Sequence, residues 1–158
     1  MSNEYDNEKF FEKYEKMPRS KEGLSAAGEW HQLKPLFPLL QGKRVLDLGC
    51  GYGWHCKFAA EQGAAQILGL DISEKMIAKA RKKNRAKQIE YRLCGIEEYE
   101  YPKDTWDCVI SNLALHYIED IESVFQKVHR TLKKDGVFLF NIEHPVFTSG
   151  VGQDWIYT

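Results

Sequence analysis

Charge of one sign is missing from this 158-residue chain, in which 22 Lys and Arg stand against 23 Asp and Glu for a net charge of -1. No global field draws such a protein to nucleic acid or to an anionic membrane, so any partner of that kind must be recognised locally. Long apolar runs are missing too. No stretch approaches the ~18 residues of a membrane span, and the opening Met1-Ser2-Asn3-Glu4-Tyr5-Asp6 has neither the basic nor the apolar block of a signal peptide. A cytoplasmic location with no membrane partner is expected. Cysteine is sparse: Cys50, Cys56, Cys94 and Cys108 form no CxxC pair and have no histidine at zinc-finger spacing. Reduced, mostly buried thiols are expected, with neither a disulfide framework nor a bound metal. The residues that are present, 43% hydrophobic and 28% charged, suffice for one packed core and exclude disorder as the default.

The chain divides by pattern into an N-terminal helical lid, residues 1–41, and a core, residues 42–158. Tyr5 to Lys16 carries aromatics at Tyr5, Phe10, Phe11 and Tyr14 among charges, as an amphipathic helix does, and Met17-Pro18-Arg19-Ser20 breaks it. Gly23 to Leu40 reads as a second helix, interrupted near its end by Pro35 and Pro38. Beyond Gly42 strand and helix alternate. Arg44 to Leu48 is the first strand, followed by a helix from Trp54 to Gln62 that Gly63 stops. Gln66 to Asp71 is the second strand, and Ser73 caps a helix to about Asn84. Ile89–Leu93, Asp107–Asn112 and Val137–Ile142 are three more strands, with a helix capped by Asp120 before the last that Lys133, Lys134 and Gly136 end. Five strands with intervening helices predict a doubly wound, mainly parallel α/β fold.

Between the first strand and the first helix lies Asp47-Leu48-Gly49-Cys50-Gly51-Tyr52-Gly53. Glycines there let the backbone approach a ligand at the carboxyl ends of the strands. A nicotinamide dinucleotide uses the same place, yet GxGxxG started at Gly49 needs glycine at position 54, where this chain has Trp54. Asp47 would also set a like charge close to a pyrophosphate. Asp71, 22 residues after Gly49, is placed to accept from the two hydroxyls of a ribose. A ligand with a ribose, a positive group near the loop and no phosphate is S-adenosylmethionine.

These residues resemble a known family. Val45 to Gly53, with Asp71 following, is similar to motifs I and II of the class I S-adenosylmethionine-dependent methyltransferases. Asp107 to Tyr117 resembles the family's fourth motif, and Leu132-Lys133-Lys134-Asp135-Gly136 its Leu-Lys-Pro-Gly-Gly segment. The resemblance covers about residues 44–145 and implies a Rossmann-like methyltransferase fold with S-adenosylmethionine as cofactor. It further implies that Gly49, Cys50 and Gly51 meet the methionine moiety, that Asp47 meets its ammonium directly or through water, that Asp71 takes the ribose and that Ile72 covers the adenine. Gly95, Ile96 and Glu97 follow strand three, where this chain departs from the family's usual acid. Asn112 belongs to the fourth motif, and Arg19, in the lid, is a candidate partner for the methionine carboxylate.

His116 and His144 follow strands four and five, and either is a candidate general base for an acceptor that carries a proton. His55 and Trp54, at the start of the first core helix, are expected to pack. Lys79, Arg81, Lys82, Lys83, Arg85 and Lys87 form a basic run, read as a solvated helix face rather than a nucleic-acid site. Asn112 is followed by Leu113 and Ala114, not by the Pro-Pro-Tyr associated with methylation of base amines, so a small-molecule acceptor is preferred. A cofactor-binding but inactive fragment or interaction module, and a nicotinamide oxidoreductase, remain alternatives. The family's sheet ends in an antiparallel hairpin, and the 16 residues from Glu143 to Thr158 are too few for it and its preceding helix, at ~11 residues per helix and ~5 per strand. The hairpin is expected to be missing, with strand five left as an open edge for a homodimer, through that edge or through swapped terminal segments.

Overall fold

The computed structural model describes residues 4–145. Its centre is a five-stranded sheet of order β3-β2-β1-β4-β5, in which every pairing is parallel. The strands are β1 (Arg44–Leu48), β2 (Gln66–Asp71), β3 (Ile89–Leu93), β4 (Trp106–Asn112) and β5 (Leu132–Asn141). Alternate side chains of the central strands go to opposite faces, and both faces are covered, which is why β1 and β4 read as nearly unbroken apolar runs. Val45, Ile67, Cys108 and Ile110 pack with Ala59 of α4 (Trp54–Glu61) and Ile77 and Ala80 of α5 (Glu74–Lys83). Leu46, Leu48, Leu68 and Val109 pack on the other face with Val124 and Val128 of α6 (Ile121–Thr131). Three buried cysteines and the half-buried Cys94 are all free thiols. No described helix is long and apolar enough to cross a membrane.

The caps fall where expected. Ser73 Oγ accepts from Met76 N–H at 3.2 Å, and Asp120 Oδ1 accepts from Ser123 N–H at 3.0 Å. Four boundaries differ from the sequence reading. Pro18 does not only end α1 (Glu8–Glu15); it opens α2 (Pro18–Glu22), since the first helical turn needs no N–H from it. The second lid helix is broken into a 3-10 turn at Gly23–Ala26, α3 (Trp30–Leu33) and another 3-10 turn at Lys34–Leu36, around Gly28 and Pro35. Helix α6 stops at Thr131, and β5 begins at once, with Leu132 beside Trp106 and an irregular stretch in which Asp135 has φ 64°. Finally, β3 and β4 are joined without a helix: Tyr99 and Tyr101 fill that space, and Tyr101 Oη donates to the carbonyl of Ile96 at 2.7 Å.

Among the described residues β5 pairs with β4 alone, so its outer edge is open, and Phe140 and Ile142 are 41% and 42% exposed. The expected swapping of the C-terminal segment falls on residues 146–158, outside the described residues.

Candidate functional site

The carboxyl ends of the strands open into a cavity of about 1010 Å³, roofed by the N-terminal segment. Ligand pockets run to about 1,000 Å³, so the space suits a nucleoside-sized cofactor together with a second small molecule. Gly49 makes the close approach of the loop after β1 to the segment after β4 possible: at φ 74° it tolerates the left-handed region, and a Cβ there would stand 2.5 Å from that of Ala114. A Cβ on Gly51 would meet no protein atom within 4 Å, so the loop leaves its cavity side open.

The loop's hydrogen bonds run inward. Gly49 and Cys50 both donate to the carbonyl of Leu70 at 2.8 Å, Gly53 donates to that of Cys50, and Gly51 donates to Asp71 Oδ2 at 2.8 Å. A phosphate-binding loop works by leaving such donors for the anion. Here the donors of Gly49, Cys50, Gly51 and Gly53 are spent, while a carboxylate is kept on the wall. Asp71 Oδ1 also accepts from Ser73 N–H at 2.9 Å, and burial raises its pKa although these two donors pull the other way. Beside it Ile72 is 49% exposed, an apolar surface at the strand end, with Gly95, Ile96 and Glu97 across from it on the same cavity.

Asp47 is not on that wall. It is 1% exposed in the middle of the sheet, paired in register with Gly69 and Ile110, and accepts from the Cys56 thiol at 3.3 Å. Burial pushes its carboxyl up to about 7. Its side chain lies beneath the loop, outside the cavity lining.

The lid is fastened over this site. Asp6 Oδ1 accepts from Ser73 Oγ at 2.6 Å, Glu15 pairs with Lys79, and Lys83 donates to the carbonyl of Ser20 at 3.2 Å. Lys79, Lys83 and Arg81, whose guanidinium donates to the Tyr91 carbonyl, thus serve the fold, and half of the basic run is accounted for internally. Arg19 lines the cavity but is held by both oxygens of Glu29, at 2.8 and 3.0 Å. Asn112 donates to the same Glu29 at 3.2 Å and accepts from Asn141 at 3.0 Å, so one chain of bonds joins α2 to the tips of β4 and β5. Burial raises the pKa of Glu29, but its own backbone N–H, Asn112 and Arg19 together hold it below the ordinary value.

The two candidate bases part company. Leu113, at φ 54°, turns the chain out of β4 into a 3-10 turn, Leu115–Tyr117, that places His116 on the cavity wall, with its ring centroid 4.3 Å from that of Tyr117 and its Nδ1 buried without a hydrogen-bond partner. His144 is exposed and outside the lining, whereas its neighbour Glu143 reaches the rim. His55 lines the cavity against Trp30, and burial pushes it down to about 4, in keeping with a packing role. Glu29, Tyr5 and Tyr117 also line the cavity, and the sequence reading passed over them as site residues. The sequence pattern places Tyr5 on the face of an amphipathic helix. The helix in fact starts at Glu8, capped by Asn7, which frees Tyr5 to turn inward. For Glu29 no local signal exists, because its partners are 10 and 83 residues away.

Comparison with known proteins agrees with this geometry. Residues 46–140 match the family described as "Methyltransferase domain". An uncharacterised Haemophilus influenzae protein is 37% identical over 150 residues, which cover 91% of this chain and 59% of that one. A Listeria monocytogenes structure described as an S-adenosylmethionine-dependent methyltransferase is 47% identical with TM-score 0.80, over 84% of this chain and 62% of its own. A Mesorhizobium loti S-adenosylmethionine-dependent methyltransferase is 44% identical with TM-score 0.76, over 79% and 58%. The chain thus spans about three fifths of the length of these relatives. By sequence match, by sheet order and by the loop and carboxylate at the strand ends, it belongs to the class I S-adenosylmethionine-dependent methyltransferases, whose cofactor is S-adenosylmethionine.

Proposed function

We propose that the protein holds S-adenosylmethionine in this cavity and transfers its methyl group to a small-molecule acceptor. The observation that carries the reading is the division of hydrogen bonds at the loop, where the N–H groups of Gly49, Cys50, Gly51 and Gly53 are spent internally while the Asp71 carboxylate stays on the wall. That set suits ribose hydroxyls and an onium group and opposes a pyrophosphate, which argues against the nicotinamide alternative. Asp71 accepts from the ribose with the lone pairs left over from Gly51 and Ser73. Ile72 and Ile96 cover the adenine, with Gly95 and Glu97 at its edge, and the backbone of Gly49, Cys50 and Gly51 follows the methionine part. Arg19 holds a carboxylate by exchanging a bond with Glu29, and Asn112 keeps Glu29 in place. Asp47 acts on an ammonium through water or by its charge alone.

When bound, the cofactor supplies an electrophilic methyl group on a sulfonium. The protein's part is alignment of the acceptor and exclusion of water, with segment 1–41 closing over core 42–158. Where the acceptor carries a proton, His116 on the cavity wall is the candidate base, and His144, exposed and outside the lining, is the alternative. For the assembly we extend the reading to a homodimer through the open edge of β5, in the cytoplasm. Calorimetric titration with S-adenosylhomocysteine and with NADH tests the first step: the former binds and the latter does not, and binding of NADH alone would overturn the proposal. Turnover of S-adenosylmethionine on a panel of amines, phenols, thiols and carboxylates separates transfer from binding alone.

A further inference from the structure

We propose that the 3-10 turn Glu4–Asp6 is a strap across the mouth of the cavity, fastened to both walls, that must come away each time the cofactor enters or leaves. This rests on the cavity's being the S-adenosylmethionine site and adds what controls traffic through it. The sheet order sets β2 and β4 on either side of β1, so the walls formed by their carboxyl ends flank the glycine loop. Two neighbouring strap residues reach one wall each. Asp6 Oδ1 accepts from Ser73 Oγ at 2.6 Å and from Lys75 N–H at 3.4 Å, just beyond β2 where α5 begins. Tyr5 shares a hydroxyl–hydroxyl hydrogen bond of 3.2 Å with Tyr117, in the 3-10 turn beyond β4.

Both fastenings have support from the core. Ser73 is fully buried and its Oγ also caps α5, so Asp6 is held at a fixed point and at the positive end of a helix. Tyr5 meets Tyr14 and Tyr117 edge to face, with centroids 5.8 and 6.2 Å apart, so the rings pack on one another and close the other side. Beneath the strap lies the carboxylate given to the ribose. Ser73 N–H holds Asp71 Oδ1 at 2.9 Å, and Asp71 is in electrostatic range of both Tyr5 and Tyr14. A ribose on its way to Asp71 therefore has to pass the strap. Three residues held by a few side-chain bonds open locally at small cost while the core stays folded, which is what a gate requires.

The test is the rate of S-adenosylhomocysteine exchange on the full chain, followed by stopped-flow tryptophan fluorescence, since Trp54 lies on the cavity wall. Asp6→Ala and Tyr117→Phe each unfasten one end, and both leave the rings that line the cavity in place. A gate acts on entry and exit alike, so each variant raises the association and dissociation rates together, roughly fivefold, and the double variant raises them further, while Kd stays within about twofold. Glu15→Ala, which breaks the pair with Lys79 between α1 and α5, changes neither rate. Unchanged rates in the double variant, or faster dissociation alone with Kd rising in proportion, overturn the inference. Equal acceleration by Glu15→Ala overturns the assignment to the strap, because the whole lid would then be the gate. Failure of S-adenosylhomocysteine itself to bind would instead overturn the reading beneath it.

Discussion

Asp47 and Asp71 close adjacent strands with the same side chain, and their surroundings give them different work. Asp71 ends β2 on the cavity with two backbone donors fixing its oxygens, and its replacement removes an acceptor without opening the core. Hydrogen bonds to charged groups contribute about 1.5–3 kcal/mol, so Asp71→Asn should weaken S-adenosylhomocysteine roughly ten- to hundredfold in calorimetry while far-UV circular dichroism is unchanged. Asp47 is sealed in the sheet, with burial pushing its carboxyl up to about 7 from the ordinary 3.8. The native state therefore binds a proton that the unfolded chain has already lost between those two values. Stability from this group is fully present below about 4 and is lost as pH rises through about 7. His55, pushed down to about 4, works in the opposite sense, because the unfolded chain binds the extra proton, so its share is lost as pH falls through about 4. His55 is common to wild type and Asp47→Asn, and the difference in Tm between them isolates Asp47. That difference should grow in favour of Asn from pH 4 to 7 and level off above; a flat difference would mean that Asp47 is ionised at every pH in the folded protein.

At the scale of elements, the strands and the core helices were legible because their signals are local. The apolar runs of β1, β2 and β4, the Ser73 and Asp120 caps and the glycine stop after α4 are each contained within a few residues. The lid was legible only in outline. Its turns, set by Pro18, Gly28 and Pro35, decide which side chains face the cavity, and its register over the core comes from Asp6 on Ser73, Glu15 on Lys79 and Glu29 on Asn112. Arg19 and Glu29 form the latch in this element. Arg19→Ala should reduce affinity for S-adenosylhomocysteine about tenfold and leave 5'-methylthioadenosine, which lacks the amino-acid part, within twofold. Equal losses for both ligands would mean that Arg19 only props the lid. The Glu15–Lys79 pair that also ties this segment down is solvent-screened and contributes little, so the discriminating readout is affinity rather than stability.

At the scale of the whole molecule, among the described residues the outer edge of the sheet at β5 has no strand paired to it beside Phe140, with Phe125 and Phe138 packed at its flank. Open apolar edges template pairing with another strand. Light scattering at tens of micromolar should therefore give a mass of two chains, and Phe140→Lys should shift it toward one. A single-chain mass together with slow exchange of the β5 amides would remove the edge-pairing proposal. The sequence by itself determined the cofactor class and the strand order of events along the chain, because the glycine loop, the acids at strand ends and the alternation of strand and helix are written in contiguous residues. Only the tertiary structure decided which groups share the cavity. Asp47 went beneath it, His116 went into it, His144 stayed outside the lining, and Glu29 and Tyr5 joined it. Those outcomes follow from contacts between residues tens of positions apart, whose distances no local spacing encodes.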